Sequence, residues 1–239
     1  MRFLLVACML PYALFAATAE INNYEKKLID HVVKSIHKAE NGVSKLNADV
    51  LKIPGMSSSK VRHFLNNICS LSNSVYLEIG CWKGSTWISS LFGNQDCMKF
   101  AYAIDNWSEF GYQKNIFEEH CNKFLKNKKY DFFSHDAFTI DLQSLGKRPI
   151  NIYFYDGNHS IDSQELAFTY FNEIFDDSFI AIVDDWNCME VQEGTEKAFK
   201  KLNYEIIFEK ILPADYNGDT RKWWNGLYVA VLRKPNAGN

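Results

Sequence analysis

The sequence lacks the features that mark several classes of protein. It contains no internal repeat and no low-complexity tract. Its six cysteines form no CxxC pair and no zinc-type spacing, which argues against a disulfide framework and against a structural metal. The formal net charge is only -3 and no long run of like charge occurs, so the chain shows no electrostatic footprint for nucleic acid.

What is present is the composition of a globular protein with a packed core. Hydrophobic residues make up 47% of the 239 residues, aromatic residues 15% and charged residues 23%, which argues against a disordered or fibrous chain. This length accommodates one α/β domain of ordinary size but not two. We therefore predict one such domain over residues 71–235, preceded by a helical lead-in over residues 20–70.

The first 19 residues have the pattern of a secretory signal peptide. Arg2 precedes an uncharged run over residues 3–16, and small residues end at Ala19, as at a signal cleavage site. The run is too short for a comfortable transmembrane helix, so no stable membrane span is expected after cleavage; a short uncleaved anchor is the alternative. Cleavage after Ala19 would remove Cys8 and leave an odd number of cysteines, so at least one thiol would stay unpaired in the monomer.

Hydrophobic periodicity divides the rest of the chain into helices and strands. Two helices are predicted in the lead-in, one carrying Leu28, Val32 and Ile36 and one over about 61–69. Further helices are predicted at 85–92, 113–126, 139–145, 160–175 and 190–202, with a capping-box spacing of Asp162 and Glu165 in the fourth. The predicted strands are 75–79, 100–104, 130–134, 150–155, 179–183, 204–208 and 226–232. Strands that alternate with helices predict a parallel sheet covered on both faces.

The end of the chain departs from this alternation. Between residues 208 and 226 there is no helical period, only a polar loop that contains Pro213 and Gly218. The last two strands are therefore predicted to form an antiparallel pair. Such a sheet differs from the fully parallel dinucleotide-binding fold, which disfavours a nicotinamide-dependent oxidoreductase.

Acidic residues follow the predicted strands at the edge where ligands collect. In open α/β sheets, ligands bind beyond the carboxyl ends of the strands. A surface loop has no need of an acid at each strand terminus, so these positions are candidates for a binding site. They are Glu78, Asp105, Asp136, Asp156, Asp184 and Asp185.

The turn after the first strand has glycines that let backbone approach a ligand closely. Gly80 and Gly84 permit a tight turn, and the helix that starts near Ser85 directs free N–H groups towards a ligand. The GxxxG spacing alone also fits a purely structural turn, and it is not the GxGxxG pattern of dinucleotide sites. Asp105 follows the second strand, where a carboxylate accepts hydrogen bonds from both hydroxyls of a ribose, so the two features together favour a nucleoside ligand.

Several short motifs carry a resemblance to a known family. They are VYLEIG at 75–80, GST at 84–86, AID at 103–105, DGNHS at 156–160 and IVDDW at 182–186. In this order they resemble the class I S-adenosylmethionine-dependent methyltransferases, and most of all the macrocin and cephalosporin-type O-methyltransferases. The resemblance covers residues 60–232. It implies a doubly wound Rossmann-like α/β sheet of seven strands in the order 3-2-1-4-5-7-6 with an antiparallel last strand, which agrees with the hairpin inferred from the pattern.

The same resemblance implies a cofactor, S-adenosylmethionine, and the residues that bind it. They are Glu78, Gly80, Gly84 and Ser85 around the methionine part, Asp105 at the ribose, and Asp136 with Ala137 at the adenine. One departure is Trp82, which stands where many methyltransferases carry a third glycine. A bulky residue is tolerable there only if its side chain points away from the cofactor.

Asp156, Asp184 and Asp185 are candidates for a metal site. Three carboxylates at the ends of two neighbouring strands would repel one another without a counter-charge, and a hard divalent cation such as Mg²⁺ would relieve that repulsion. The O-methyltransferases that this chain resembles place such an ion here, where it binds the acceptor hydroxyl and lowers its pKa. The alternative is that the aspartates cap the neighbouring helix and turn.

His159 is the candidate general base, and with Asp156 it completes the predicted catalytic residues. An imidazole titrates near neutrality, which suits removal of a proton from the acceptor, although a hydrogen bond that only stabilises the turn is the alternative. The loop between the last two strands also reaches this edge. Its candidates for the acceptor pocket are Asp215, Arg221, Trp223 and Trp224. For the two tryptophans, packing at the edge of the core is an equally good explanation.

The sequence therefore predicts transfer of a methyl group to a hydroxyl of a small molecule or sugar, assisted by a divalent cation. The N-terminus suggests export, whereas the donor is made in the cytosol. This conflict keeps a second hypothesis open, an exported binding module that retains the fold without catalysis. The lead-in over residues 20–70 is expected to cover the pocket or to mediate a homo-oligomer.

Overall fold

The computed structural model of the chain describes residues 20–235, so the predicted signal peptide lies outside the described residues. The α-helices are α1 (Asn23–Glu40), α2 (Ala48–Leu51), α3 (Ser59–Ile68), α4 (Ser85–Leu91), α5 (Lys114–Phe124), α6 (Ile161–Thr169) and α7 (Met189–Leu202). The strands are β1 (Val75–Ile79), β2 (Phe100–Asp105), β3 (Tyr130–Ser134), β4 (Ile150–Tyr155), β5 (Phe175–Val183), β6 (Glu205–Leu212) and β7 (Leu227–Arg233). Single 3-10 turns occupy Leu142–Leu145 and Asn172–Ile174.

The seven strands form one sheet in the order β3-β2-β1-β4-β5-β7-β6, and β7 is antiparallel to both of its neighbours. The predicted fold class and strand order are confirmed. Side chains alternate along the central strands between two apolar cores, one on each face. In β1, for example, Tyr76 packs into the core under α1, α3, α4 and α5, whereas Leu77 and Ile79 pack into the core under α6 and α7.

The helical lead-in packs directly on the sheet. Leu28, Val32 and Ile36 of α1 belong to the same buried cluster as the central strands, as the periodicity predicts. An ion pair also joins α1 to the last strand: Glu25 is fully buried and lies 2.5 Å from Arg233 of β7. The lead-in therefore closes one side of the core. Within residues 20–235, no helix has the length and apolar character needed to cross a membrane.

The predicted helix over 160–175 is too long. Helix α6 ends at Thr169, and β5 already begins at Phe175, which pairs with Ile150 and stacks on Phe179 at 4.6 Å between ring centroids. Pairing with the sheet thus takes precedence over the helical periodicity. The prediction of a capping box is also wrong, because Ser160 is the N-cap residue of α6 and accepts a hydrogen bond from the Ser163 N–H.

Candidate active site

A cleft of about 870 Å³ lies at the carboxyl ends of the parallel strands, as the position of the acids predicts. The loops after β1, β2, β3, β4 and β5 form its walls, together with the loop between β6 and β7. Seven predicted site residues line it: Gly80, Asp105, Asp136, Ala137, Asp156, His159 and Asp185. Four others, which are buried and do not line it, are Glu78, Gly84, Ser85 and Asp184. The topology therefore brings most of the predicted site together.

Glu78 points into the core beneath the cleft. Its carboxylate is fully buried and accepts hydrogen bonds from the Tyr76 hydroxyl and the Thr86 hydroxyl, both at 2.6 Å. Burial raises the pKa of Glu78 to about 7, although these two hydrogen bonds lower it. In this position Glu78 fixes the start of α4 relative to β1, and a direct contact with a cofactor stays a prediction.

Asp105 organises the turn that follows β1. One carboxylate oxygen accepts hydrogen bonds from the N–H groups of Cys81 and Trp82, both at 2.7 Å, and the other accepts from the Trp107 N–H at 2.6 Å. A carboxylate has about four acceptor positions, so these three donors leave roughly one for a ligand. Asp105 therefore has less capacity for a ribose than the sequence suggests.

The two glycines of the turn have structural reasons to be glycine. A Cβ on Gly80 would lie 1.8 Å from the carbonyl oxygen of Asp156, and the residue has a positive φ of 86°. Gly84 is also left-handed, with φ of 83°, and its Cβ would meet Phe117 at 3.0 Å. The first contact presses the β1 loop against the β4 loop, which sets the depth of the cleft between them.

Trp82 lines the cleft. Its ring lies edge-on to Phe110, with centroids 6.3 Å apart, and the Lys83 ammonium sits 4.2 Å from its centroid. Its indole Nε1 is buried and has no hydrogen-bond partner among residues 20–235. The departure from glycine thus places an aromatic residue in the cleft wall, and the direction of its side chain relative to a cofactor stays a prediction.

The three aspartates of the predicted metal site do converge. One carboxylate oxygen from each of Asp156, Asp184 and Asp185 lies within 4.8 Å of the other two. Burial, followed by the neighbouring carboxylates, raises the pKa of Asp156 and of Asp184 well above the usual range. Oδ1 of Asp184 is buried without a hydrogen-bond partner in the described part of the chain. The N-cap residue of α7 is Cys188, so the alternative role of Asp184 and Asp185 as helix caps does not apply.

His159 forms a pair with one of these aspartates. Its Nε2 lies 2.7 Å from Oδ2 of Asp185, while Asn225 Nδ2 donates a hydrogen bond to Oδ1. The hydrogen bond to Asp185 raises the pKa of His159 against the effect of its partial burial. Asp185 itself has a positive φ of 56°, in the left-handed region that aspartate adopts more readily than most residues other than glycine. Hydrogen bonds therefore connect Asn225, Asp185 and His159 in series within the cleft.

The loop between β6 and β7 contributes to the cleft less than the sequence suggests. Trp224 lines it, but Trp223 is buried against Phe64 of α3, with ring centroids 6.1 Å apart. Arg221 and Asp215 pair within the loop, with Asp219 and Lys222 respectively.

Sequence reasoning missed several residues that line the cleft, among them Glu109, Phe110 and Asn225. Glu109 and Phe110 belong to the loop after β2, in which the sequence pattern indicated only Asp105 as a site residue. Asn225 directly precedes Gly226, so the Asn-Gly pair was a signal only for a turn.

Comparison with known proteins supports the fold. No protein-family model and no curated protein matches the sequence. Among solved structures, a candidate caffeoyl-CoA O-methyltransferase from Staphylococcus aureus matches with a TM-score of 0.55 and 14% identity, over 90% of this chain and 100% of that one. An SAH-bound methyltransferase from Podospora anserina matches with a TM-score of 0.52 and 14% identity, over 97% and 100% of the two chains.

A third structure, a candidate SAM-dependent methyltransferase from Streptococcus mutans, matches over 73% of this chain with a TM-score of 0.53 and 14% identity. This chain spans about half the length of that protein (48%). At these identities the likeness establishes the fold, which is that of the class I methyltransferases.

Proposed function

We propose that this protein is an S-adenosylmethionine-dependent methyltransferase that methylates a hydroxyl oxygen of a small molecule or sugar. The observation that carries the proposal is the cleft itself, in which acids from the ends of four strands, β2 to β5, meet on this fold. Ligands of open α/β sheets bind at this edge, next to the first strand. Neighbouring structures with the same fold include an SAH-bound methyltransferase and a candidate O-methyltransferase.

In this proposal the donor lies along the loops after β1, β2 and β3. Gly80 offers backbone at the turn, Asp105 offers its remaining acceptor position to the ribose, and Asp136 with Ala137 flanks the adenine. Glu78 acts indirectly, because its hydrogen bonds to Tyr76 and Thr86 hold the turn from below. A buried carboxylate with two such donors is a rigid support.

The acidic cluster fits a hard divalent cation such as Mg²⁺. Asp156, Asp184 and Asp185 would hold it, since oxygen ligands suit these ions and Asp184 Oδ1 has no other partner in the described chain. When bound, such an ion supplies a Lewis acid that lowers the pKa of the acceptor hydroxyl. It would also offset the mutual repulsion of the three carboxylates.

His159 is the proposed proton acceptor. With Nε2 directed at Asp185, the Nδ1 lone pair is left for the acceptor hydroxyl, and the neighbouring carboxylate stabilises the imidazolium that forms. Holding the donor methyl and the acceptor oxygen in line supplies the rest of the acceleration. A non-catalytic binding module, the alternative, has no need of an oriented imidazole beside an acidic cluster.

Calorimetry on the full chain tests the proposal. S-adenosylmethionine and S-adenosylhomocysteine are titrated with and without Mg²⁺, and micromolar binding is expected. Asp105→Asn should weaken binding roughly tenfold through loss of a charged acceptor, whereas Asp49→Asn, an exposed site on α2 paired only with Lys52, should not. A folded sample that binds neither compound would overturn the proposal in favour of the binding module.

A further inference from the structure

The charged residues that line the cleft are almost all of one sign. Five carboxylates line it, from Asp105, Glu109, Asp136, Asp156 and Asp185. No lysine or arginine is among the lining residues in the described chain, and the two histidines are the only groups that can carry positive charge. A cleft lined by one sign of charge concentrates ligands of the opposite sign.

The proposed cofactors leave one of these acids without a role. Asp156 and Asp185 would face the metal ion, and Asp105 and Asp136 would face the donor. Glu109 has no such assignment, and its side chain is exposed at the cleft. No lysine or arginine lines the cleft beside it in the described chain, so this exposed carboxylate is available to a ligand.

Glu109 lies next to the residues proposed to act on the acceptor. The Asn158 side-chain amide donates a hydrogen bond to Glu109 Oε1 over 3.4 Å, and Asn158 directly precedes His159. The loop after β2 thus reaches across to the loop after β4. A charge on the acceptor that meets Glu109 would place the rest of that molecule beside His159.

Aromatic side chains line the same cleft as this acid. Phe110 follows Glu109 and leaves 65% of its surface exposed, in a backbone conformation with φ of 53° that aromatic residues rarely adopt. Its ring meets Trp82 edge-on, and Trp224 lines the cleft from the loop before β7. Aromatic rings in a cleft that also contains a carboxylate suit an ammonium group attached to a planar body, through packing and cation–π attraction.

We propose that the acceptor is a hydroxylated molecule with a planar apolar body and a positively charged amine, and that Glu109 selects it. The inference rests on the proposed function, since it names the class of molecule that the same cleft would methylate. It excludes acceptors whose recognition depends on a phosphate or a carboxylate.

Two probes that differ in charge test it. Tyramine and 4-hydroxyphenylacetate share a phenol ring and differ by an ammonium or a carboxylate. Each is titrated into the full chain by calorimetry, with and without S-adenosylhomocysteine. Tyramine should bind roughly tenfold more tightly than the acid, the size of effect expected for one screened charge contact. Glu109→Gln should remove most of that difference, and Glu109→Lys should reverse it.

Glu119→Gln on α5 is the matched control, because it removes the same charge from an exposed residue that does not line the cleft. It should retain the preference for tyramine. Equal binding of the two probes, tighter binding of the acid or no binding of either by the wild type would overturn the inference, as would an unchanged preference in Glu109→Gln. Failure of S-adenosylhomocysteine to bind would instead count against the proposed function, while the tyramine titration without it still judges the inference.

Discussion

His159 Nε2 lies 2.7 Å from Oδ2 of Asp185, and the other oxygen of that carboxylate accepts a hydrogen bond from Asn225. Asn225 in turn accepts from the Gly218 N–H at 2.6 Å through its own Oδ1. The loop before β7 therefore holds Asp185, and Asp185 holds the imidazole. This arrangement fixes both the position and the tautomer of His159 in the proposed reaction.

Replacement of the imidazole should separate chemistry from binding. We expect His159→Gln to lower kcat by roughly 10² to 10⁴, the usual contribution of a general base, while the affinity for S-adenosylhomocysteine stays unchanged. His135→Gln is the control, since His135 lines the same cleft but its side chain, among the described residues, bonds only within its own loop. The measurement is steady-state kinetics with the acceptor that a screen identifies. Equal losses in the two variants would contradict a specific role for His159.

Asn225 should act on the metal site without touching the ion. In Asn225→Ala, Asp185 loses the donor that orients Oδ1, and second-sphere losses of this kind weaken metal binding roughly tenfold to a hundredfold. Asn217→Ala, in an exposed position of the same loop, is the matched control. Titration with Mg²⁺ by calorimetry gives both affinities. If they are the same, the hydrogen bond to Asp185 has no part in the site.

The acidic cluster should destabilise the metal-free protein. Asp184 contributes a buried oxygen without a partner, next to two further carboxylates. In EDTA, Asp184→Asn should therefore raise the free energy of unfolding, by about 0.5–2 kcal/mol, because it removes one of the repelling charges. The same variant should lose the increase in Tm that Mg²⁺ produces in the wild type. Asp49→Asn should change neither quantity. An unchanged response of Asp184→Asn to Mg²⁺ would remove Asp184 from the site.

The regular elements and the edge of the sheet that carries the site were predictable because both follow from local pattern. Strand alternation gave the parallel sheet, and the polar loop before β7 gave the antiparallel end. The direction in which an individual side chain points could not be predicted from the sequence pattern. Glu78 and Asp184 follow the rule that acids stand at strand ends, yet both are buried and neither lines the cleft. Which way a strand-end side chain turns depends on the pleat and on the neighbouring loops.

Residues that reach the site through contacts distant in sequence had no local sequence pattern by which they could be predicted. Asn225 meets Asp185 across 40 positions of sequence, and Glu109 meets Asn158 across 49. Phe175 shows the same limit in the fold, since its helical spacing was overridden by pairing with Ile150. Periodicity reports the local period and burial, and it does not report which strand a segment will join.

Gly80 should be far less replaceable than another glycine with the same backbone conformation. Gly80 and Gly218 have φ values of 86° and 80°, but a Cβ on Gly80 meets the Asp156 carbonyl oxygen at 1.8 Å and one on Gly218 meets nothing within 4 Å. Gly218→Ala should therefore cost only the conformational strain, about 1–2 kcal/mol. Gly80→Ala adds a collision with backbone and should cost considerably more or prevent folding. Urea unfolding of both variants checks this, and similar losses would argue against close packing of the two loops.

The ion pair between α1 and β7 should make stability depend on acid. Arg233 donates hydrogen bonds to both oxygens of Glu25, and this contact, against the opposing effect of burial, lowers the pKa of Glu25 from 4.5 to about 2. A depressed pKa means that the stabilisation is fully present above pH 4.5 and is lost as the pH falls towards 2. Glu25→Gln should lower the free energy of unfolding at neutral pH by about 2 kcal/mol. It should also flatten the fall in Tm across that acid range.

Glu205→Gln is the control, because Glu205 pairs with the same arginine but its side chain is 38% exposed. This variant should lower the free energy of unfolding by less than about 1 kcal/mol and keep the acid dependence. If Glu25→Gln retains the full acid dependence of the wild type, the lead-in helix is held by its apolar face alone.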